Sequence, residues 1–468
     1  MRLPIWLVAL AALLGLMVVV AAGATLLQPP LPLITAAAFA PPTITPNADG
    51  QDDVTVFSYN LSRGAAISMA FTARDGTVYA FRQNEPRDAG DHSVLFSGVV
   101  DGFTLPGEVI HGEVLRRLMP DGEYTWTLTA DSTSGESMAQ SGTLVIEGGD
   151  AALPDIPEFS VFPDVFTPNQ DGVSDRTAIN VGLVKPADVR LYLQGEGMEP
   201  IYVPERLEDK PGEDAPVLRH LYDYEGGVDL GANPPPDGIY TVVAEAQDDV
   251  GQRVRRTGEL TIVSGGKPQA QIMPQPTGPT VVFESRPWED RFANTPDERG
   301  DLIDPPVSPE SLALTAISMP VGDMLVFKLT VENYSSVPIR TSGSPPGTVY
   351  DWTQRASTFG EYDESGSWRV GLDCDTAASD YPWRWRLGAD EALVTETDPN
   401  TGIVYTYLPA GARATVWGAV RMSQIEVRNP QNCWAGLIHE DVGVSELNAH
   451  VGPRQIELLD PTGQFTPN

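Results

Sequence analysis

The sequence predicts an all-β protein in which antiparallel β-sandwiches follow one another along the chain, preceded by one N-terminal transmembrane helix. Three observations lead to this fold class. A long segment of the sequence occurs twice, as an internal repeat. Apolar and polar residues alternate with a period of two in both copies and beyond them. The 44 glycines and 42 prolines supply turns between short strands. Repeated modules are typical of arrays of binding or spacer domains.

A short acidic turn marks the start of each copy. Residues 45–53 (TPNADGQDD) recur as residues 167–175 (TPNQDGVSD), which lie 122 positions later. A second marker lies near the end of each copy, PDGEY at 120–124 and PDGIY at 236–240, and here the offset is 116. The difference, 122 − 116 = 6, indicates that the second copy lacks six residues of an internal loop.

The chain begins with an uncharged apolar segment. No charged residue occurs from Leu3 to Leu27, a length that suffices to span a bilayer, whereas the apolar part of a cleaved signal peptide is usually about 7–15 residues long. Residues 1–27 are therefore predicted to be a membrane anchor, with a cleaved secretory signal as the alternative. Both alternatives predict export, either as extracytoplasmic domains held at the cell membrane or as a secreted protein.

The rest of the chain is predicted to contain a stalk, two repeats and a third domain. Proline and alanine dominate the stalk, and proline and glycine the second linker. The predicted boundaries are 28–41 for the stalk, 42–147 for repeat 1, 148–158 for a first linker, 159–264 for repeat 2, 265–279 for a second linker and 280–461 for a third β-sandwich. Residues 465–468 (FTPN) match the opening of the second acidic turn, either by chance or as the start of a truncated repeat.

Strict alternation predicts which residues form the cores. In repeat 1 it is clearest in residues 122–132, and in the third domain in residues 324–333. Successive side chains of a strand point to opposite faces of the sheet. The apolar set is therefore expected to face the core: Tyr124, Trp126, Leu128 and Ala130 in repeat 1, and Leu325, Phe327, Leu329 and Val331 in the third domain.

The charge balance excludes some partners. The chain has 64 acidic and 30 basic residues, a formal net charge of −34. Nucleic-acid binding needs a basic face, so nucleic acid is not expected as a partner, and an anionic membrane surface is a poor one. The acidity is explained either by solubility outside the cell or by carboxylates that bind divalent cations in particular loops.

Each acidic turn carries oxygen ligands at a spacing that suits calcium. The candidate metal ligands are Asn47, Asp49 and Asp53 in the first turn and Asn169, Asp171 and Asp175 in the second. Oxygen ligands at alternating positions with a glycine at the bend are typical of hard cations. The alternative is an Asx-turn in which the same side chains bind their own backbone. The ligand glutamate of a complete EF-hand ladder is absent, so both interpretations stay open.

The second copy resembles a known family of modules. The strand–turn sequence FTPNQDG at 166–172, the alternating strand behind it and PDGIY at 236–240 resemble the bacterial Ig-like repeats of the flagellar hook-capping type. The same residues are similar to the C-terminal repeats of secreted gliding-motility proteins. The resemblance covers residues 42–264. It implies small Ig-like β-sandwiches that act as spacers, adhesive modules or attachment domains, and it implies no catalytic residue.

The third domain is rich in tryptophan. Seven of the nine tryptophans lie in it, and Trp383 and Trp385 share one face of a strand. If that face is exposed, the two indoles form a ligand platform for sugar rings or a partner protein. If the face is internal, they belong to the core, which is usual for aromatic residues in a β-sandwich.

Two cysteines, Cys374 and Cys433, are the only ones in the chain. An isolated pair in an exported protein predicts a disulfide, with two unlinked thiols as the alternative. No catalytic motif accompanies them: there is no HExxH, no GxSxG and no phosphate loop. The cluster His439-Glu440-Asp441 is interpreted as a surface turn.

These observations predict a non-enzymatic surface or exported protein. Its tandem modules would space and present a distal β-sandwich in adhesion or envelope assembly, with other envelope or surface proteins as partners. The alternative is a carbohydrate-binding surface protein that recognises glycans through the tryptophan-rich third domain. Calcium is the only cofactor for which the sequence offers candidate ligands.

Overall fold

A computed structural model describes residues 5–26, 31–206, 218–275, 278–295, 298–307, 316–398 and 401–460. Its one α-helix is α1 (Ile5–Leu26); the rest is built mainly of β-strands. In the described part of the chain, no helix combines the length and apolarity needed to cross a membrane. The predicted transmembrane helix is therefore not supported. Residues 465–468 lie outside the described ranges.

Repeat 1 is a sandwich of two sheets. Its strands are β1 (Ile34–Ala40), β2 (Thr43–Ile44), β3 (Thr55–Leu61), β4 (Ala65–Ala73), β5 (Val78–Arg87), β6 (Gly90–Phe96), β7 (Val99–Asp101), β8 (Glu113–Leu118), β9 (Gly122–Ser132) and β10 (Ser137–Ile146). One sheet has the order β1-β3-β6 and the other β2-β10-β9-β4-β5. The predicted apolar face of β9 is buried between them together with Phe39, Phe57 and Phe71.

The predicted stalk at 28–41 is wrong for its second half. Residues 34–40 form β1, which pairs with β3 along its length. Leu33, Ile34 and Phe39 are buried in the core of repeat 1. The alanine-rich composition resembles a linker, but the few large side chains in this segment fill the sandwich, and small alanines are tolerated on its exposed face.

Repeat 2 has the same architecture. Its strands are β11 (Glu158–Phe162), β12 (Val165–Phe166), β13 (Thr177–Gly182), β14 (Asp188–Gln194), β15 (Ile201–Tyr202), β16 (Arg219–Tyr224), β17 (Gly238–Gln247) and β18 (Arg253–Ile262). One sheet has the order β11-β13-β16, and the other contains β15-β14-β17-β18, with β12 also paired to β18. Ile179, Val181, Leu191 and Leu193 lie in its core, as the matching positions do in repeat 1.

The two copies match in strand register as well as in sequence. Val145 pairs with Thr43 in repeat 1, and Thr261 pairs with Val165 in repeat 2. These pairs are related by the offsets of 116 and 122 found in the sequence. The duplication is therefore a duplication of the fold.

The third domain is a second type of sandwich. Its strands are β19 (Ala270–Ile272), β20 (Val282–Arg286), β21 (Ala316–Pro320), β22 (Met324–Asn333), β23 (Ile339–Arg340), β24 (Val349–Asp351), β25 (Trp368–Cys374), β26 (Trp383–Arg386), β27 (Val394–Thr397), β28 (Val404–Leu408), β29 (Arg413–Arg421), β30 (Gln431–His439) and β31 (Val451–Leu459). The sheets are β19-β22-β29-β24 with β20 added at β22, β21-β31-β30-β25-β26, and β23-β28-β27.

Two predictions about the third domain, its disulfide and its N-terminal limit, can be compared with the structure. Cys374 and Cys433 form a disulfide between the paired strands β25 and β30, which confirms the predicted pairing. Residues 270–272, predicted to be linker, form β19 and pair with β22. Ala270 and Ile272 are buried in the core. The domain therefore begins about ten residues earlier than the proline-rich composition of this segment suggested.

Candidate functional site

The two acidic turns share one backbone conformation. The amide of Thr45 donates to the carbonyl of Asp52, and the amide of Thr167 donates to that of Ser174, both at 2.8 Å. Each turn has positive φ at three alternate positions, which are Ala48, Gly50 and Asp52 in the first and Gln170, Gly172 and Ser174 in the second. The turn is therefore a defined structural unit placed directly after the parallel pair β2–β10 or β12–β18.

In the first turn the side chains bind the turn's own backbone. Oδ1 of Asp53 accepts hydrogen bonds from the amides of Asn47 and Ala48, and its Oδ2 accepts one from Gly50 at 2.7 Å. Oδ1 of Asn47 accepts from the amide of Asp49. This is the Asx-type arrangement, in which a short polar side chain replaces a backbone partner.

The second turn repeats these bonds. Oδ2 of Asp175 accepts from the amide of Gly172 at 2.6 Å, and Oδ1 of Asn169 accepts from that of Asp171 at 3.0 Å. Among the residues described, no group of three or more His, Cys, Asp or Glu side chains is arranged to hold a metal ion. The calcium interpretation of the six predicted ligands stays an untested prediction, and the observed bonds support the structural turn.

The surroundings of the two turns differ. Asn47 and Asp49 are exposed, whereas Asn169 and Asp171 are each only 6% exposed. Asn169 and Asp171 are buried because the third domain packs against this part of the turn. The hydroxyl of Tyr407 donates to Oδ2 of Asp171 at 3.1 Å. The bond is longer than the usual O–H···O distance of about 2.7–2.8 Å, and it links the side chain of Asp171 to the third domain.

A second side chain of the third domain binds the backbone of the same turn. Nε2 of His439 donates to the carbonyl of Gln170 at 2.8 Å, and the imidazole stacks on Trp368 with 4.3 Å between ring centroids. Burial lowers the pKa of His439 to about 4. The neutral imidazole is therefore the form present at this junction near neutral pH.

Glycines permit the close approach of the two domains. A Cβ at Gly172 would lie 2.0 Å from the carbonyl oxygen of Ser365, and one at Gly366 would lie 2.2 Å from the carbonyl carbon of Asp171. Both glycines also have positive φ. At Gly50, the counterpart in the first turn, a Cβ would meet no atom within 4 Å. In repeat 1 the glycine is needed only for the turn conformation. In repeat 2 the equivalent glycine is needed both for the turn and for the contact with the third domain.

The pKa values of the equivalent carboxyls Asp53 and Asp175 are shifted in opposite directions, and the difference follows from the contact of the second turn with the third domain. For Asp53, desolvation acts to raise the pKa, but hydrogen bonds from the turn's amides together outweigh it and the pKa is lowered. For Asp175, desolvation under the third domain and the nearby charge of Asp171 raise the pKa to about 6. Desolvation also raises the pKa of Asp171 itself.

Repeat 1 is joined to repeat 2 by strand pairing, in contrast to the side-chain contacts that join repeat 2 to the third domain. Strands β7 and β8 lie in the segment where repeat 1 has its extra residues, and β8 pairs with β18 of repeat 2, so that one sheet continues across both modules. The side chain of Gln252 is fully buried at this junction. Its Oε1 accepts from the amide of Leu118, and its Nε2 donates to the carbonyl of Ala152 at 2.8 Å.

The tryptophan face predicted as a ligand platform is internal. Trp383 is 1% exposed and Trp385 is fully buried, and both belong to the main core of the third domain. The indole of Trp385 donates to the carbonyl of Thr348 at 3.0 Å. The prediction of sugar binding by this pair is therefore wrong, and the core interpretation is confirmed. All seven tryptophans of the domain are buried or half-buried: Trp288, Trp352, Trp368, Trp383, Trp385, Trp417 and Trp434.

Sequence reasoning missed the residues that receive the second turn. His439 and Glu440 are each about 95% buried, with 5% of their surface exposed, so the surface-turn interpretation is wrong for both. Tyr407 and Arg340 also lie at this junction and carry no motif. The only local signal was the group of polar residues at the end of the apolar strand β30. This signal can be interpreted only once the partner of these residues, the second acidic turn, is known.

Comparisons with known proteins add no identity. No family model matches the chain, and no curated protein matches it. Among solved structures, a tetra-tandem repeat from the extending region of a large adhesion protein has 12% identity and a TM-score of 0.17, covering 90% of this chain and 73% of that one.

Two other solved structures are comparably distant. A Ca²⁺-stabilized adhesin with which an Antarctic bacterium binds ice has 12% identity and a TM-score of 0.19, with 91% and 73% covered. A two-domain fibronectin type III segment of chicken tenascin has 13% identity and a TM-score of 0.16, with 49% and 98% covered. Similarities at this level carry no functional argument, so the function is argued from the geometry above.

Proposed function

We propose that this chain is a non-enzymatic, exported surface protein of structural or adhesive type, in which two Ig-like repeats space and present the third domain. The observation that carries the proposal is the way the modules are joined. Neither junction is an extended linker. One is a continuous β-sheet and the other is a buried polar contact, so the three sandwiches are expected to behave as one stiff body.

The first junction supports stiffness because it consists of backbone hydrogen bonds. Arg255 and Val254 of β18 pair with Glu113 and Val114 of β8, and the guanidinium of Arg255 binds the carboxylate of Glu113 at 2.6 Å. Bending between the repeats would break these bonds and expose the buried side chain of Gln252. A buried polar group left without a partner costs about 1–3 kcal/mol.

Export is supported by the disulfide and by the charge. Disulfides persist in oxidising compartments and are rare in the cytosol, and Cys374–Cys433 is formed here. A net charge of −34 is suited to an exposed, soluble array. The proposal does not depend on membrane anchoring. The resemblance of residues 42–264 to hook-capping and gliding-motility repeats is retained as the proposed module type.

Stiffness can be tested by distance measurement between two spin labels. Thr143 in repeat 1 and Thr415 in the third domain are exposed strand residues, and the native cysteines are already paired. A full-length Thr143→Cys, Thr415→Cys double variant, spin-labelled at both cysteines, should give one narrow distance distribution by pulsed electron–electron double resonance. A broad distribution would show independent modules and would contradict the spacer proposal.

A matched glycine pair tests the origin of the stiffness. A Cβ at Gly112 would lie 2.6 Å from the carbonyl oxygen of Arg255, across the repeat junction, whereas at Gly107 it would meet no atom within 4 Å. Both have positive φ. Gly112→Ala should therefore broaden the distribution, and Gly107→Ala should leave it narrow.

Exposure at the cell surface has its own test. In intact cells of the native host, Thr415→Cys should react with a membrane-impermeant maleimide to the same extent as in lysed cells. Labelling that requires lysis would contradict export. Binding of these cells to surfaces or to envelope proteins, lost on deletion of the chain, would identify the adhesive role.

A further inference from the structure

Strand β10 of repeat 1 has an open edge. It pairs with β9 along its whole length, from Ser137 to Ile146. On its other side only Val145 and Ile146 are paired, with β2. Among the strands that the structure describes, none pairs with residues 137–143 on that side. We call this side of residues 137–143 the β10 edge.

The β10 edge presents backbone groups that point away from the sheet. The amide of Val145 points away from β9, because it donates to the carbonyl of Pro42. Backbone groups alternate between the two sides of a strand in an antiparallel ladder. The same side therefore carries the amides and carbonyls of four further residues, Ser137, Ala139, Ser141 and Thr143. All four are exposed.

The equivalent edge of repeat 2 already takes part in strand pairing. With the offset of 116, Ser137 and Ala139 correspond to Arg253 and Arg255 of β18. Both arginines pair with β8, the strand that repeat 1 contributes to the junction. A module of this fold therefore accepts an additional antiparallel strand at this position.

The second sheet of the sandwich leaves this position accessible. In repeat 2, Arg256 donates to the carbonyl of Ile156, and the residues that precede Arg256 still pair with β8. Its counterpart in repeat 1, Gln140, donates to the carbonyl of Ala37 in the same way. The contact between the sheets is thus compatible with a strand added at the β10 edge.

Strand β10 lacks the features that usually keep an edge strand from pairing. Natural edges are protected by charges, prolines and bulges. Residues 137–146 contain neither a charged residue nor a proline, and their register with β9 is unbroken. The opposite edge of the same sheet is β5, which carries Arg82, Glu85 and Pro86 and has register shifts against β4.

The sheet face beside the β10 edge is also uncharged. Three threonines of β9 lie opposite the edge residues: Thr125, Thr127 and Thr129. The equivalent edge of repeat 2 carries charged side chains, among them Arg253, Arg255 and Glu259. Like charges directly opposite each other destabilise a strand pair. In a chain with a net charge of −34, the β10 edge can meet a second copy of itself without such a pair.

We propose that two copies of this chain pair antiparallel through their β10 edges, so that their two five-stranded sheets join into one. A two-fold contact uses the same surface on both copies, which an uncharged strand permits. The open segment is used completely when Ala139 lies opposite Ser141 of the second copy. This register also places Ser137 opposite Thr143. The inference goes beyond the spacer function and does not depend on it.

The test is sedimentation of the full chain over a wide range of protein concentration. The wild-type chain should show a reversible monomer–dimer equilibrium. Added salt should strengthen it, because screening weakens the repulsion between two acidic chains. Ser141→Pro removes an amide that points out of the sheet, so the monomer should stay folded and dimerisation should weaken about tenfold or more.

A proline at the equivalent position of repeat 2 is the matched control. Thr257 corresponds to Ser141 with the offset of 116 and is also exposed. Thr257→Pro should leave the dimerisation constant unchanged, and the two variants should have similar melting temperatures. Equal dimerisation of Ser141→Pro and the wild-type chain would overturn the proposal, as would a chain that stays monomeric throughout.

A distance between the two chains tests the register without a proline. In a chain that is spin-labelled at Thr143→Cys alone, a dipolar signal comes only from pairs of chains. The proposed register separates the two labelled positions by six residues along the paired strands, about 20 Å. Dilution with unlabelled chain should remove this signal, and the same dilution confines the two-label measurement above to distances within one chain. A dimer without this distance would use another surface and would contradict the proposal.

Discussion

Tyr407 and Asp171 lie 236 residues apart in sequence and share a buried hydrogen bond, in which the tyrosine hydroxyl donates to Oδ2 of the carboxylate at 3.1 Å. The bond joins the second acidic turn to the third domain. Desolvation and the neighbouring carboxylate raise the pKa of Tyr407, so the phenol keeps its proton. It therefore acts as a donor to the aspartate over the physiological pH range.

Removal of this donor should destabilise the junction. Tyr407→Phe leaves the carboxylate of Asp171 buried with one bond fewer, and the expected loss in free energy of unfolding is about 1–3 kcal/mol. Urea unfolding followed by tryptophan fluorescence would measure it, because seven of the nine tryptophans lie in the third domain. Tyr334→Phe, at a residue about half exposed (48%), is the control and should change stability by less than about 0.5 kcal/mol.

Equivalent glycines in the two turns should respond differently to alanine. Gly50→Ala and Gly172→Ala both place an alanine at positive φ, which costs about 1–2 kcal/mol. Only Gly172→Ala also drives a methyl group into the carbonyl of Ser365. Gly172→Ala should therefore be the more destabilising change and should broaden the label distance between repeat 1 and the third domain. Equal effects of the two substitutions would mean that the turn does not dock as described.

The carboxyls of Asp53 and Asp175 should titrate in separate pH ranges. Asp175 should have a pKa near 6 and Asp53 one below its ordinary value of 3.8. Carbon-13 NMR of the carboxyl groups would measure both, with Asp53→Asn and Asp175→Asn to assign the signals. If Asp175 titrates near its ordinary value, the second turn is not buried in solution.

These shifts have opposite consequences for stability. The folded chain holds the proton of Asp175 more tightly than the unfolded chain, so the stability that this group contributes at low pH is lost as the pH rises through about 6. Asp53 has a lowered pKa, so it contributes stability at pH values above its ordinary pKa, and this stability is lost as the pH falls. Opposite changes in the pH dependence of unfolding are therefore expected for Asp53→Asn and Asp175→Asn.

Calcium should leave the thermal stability unchanged. The carboxylates of both turns already accept backbone amide hydrogen bonds, and the described residues offer no cluster of three ligands. Calorimetric titration of chelator-treated protein should show no binding heat. A saturable heat that disappears in Asp49→Asn would instead revive the calcium interpretation of the first turn.

Loss of the disulfide should destabilise the third domain. Cys374 and Cys433 are separated by 59 residues, for which the chain-entropy model gives about 4 kcal/mol. The double variant Cys374→Ser, Cys433→Ser should lower the transition of the third domain in a calorimetric scan. An unchanged transition would contradict a stabilising role of the disulfide.

Much of the fold follows from local pattern. The alternation in residues 122–132 and 324–333 predicted strands whose apolar face is buried, and both are confirmed. The segment at 34–40 was missed because alanine-rich composition does not separate a linker from a strand whose small side chains face solvent. Residues 270–272 were missed because the neighbouring prolines suggested a linker, although prolines at strand ends are compatible with a short paired strand.

The candidate site depended on information that a local pattern does not carry. Nothing near Tyr407 or His439 indicates that a turn more than two hundred residues earlier in the chain will pack on them. The tryptophan strand shows the same limit: alternation placed Trp383 and Trp385 on one face, but only the opposing sheet decided that this face is internal.

The acidic turns separate the two kinds of information most clearly. By itself the sequence determined that the turn occurs twice, that glycine and Asx residues shape it, and that a disulfide closes the third domain, because these depend on short-range backbone geometry and residue chemistry. Only the tertiary structure decided that one turn is exposed while the other lies buried against Tyr407 and His439. Burial and the approach of a neighbouring domain are long-range properties, and two turns that share six of nine residues acquire different electrostatics because only one of them packs against another domain.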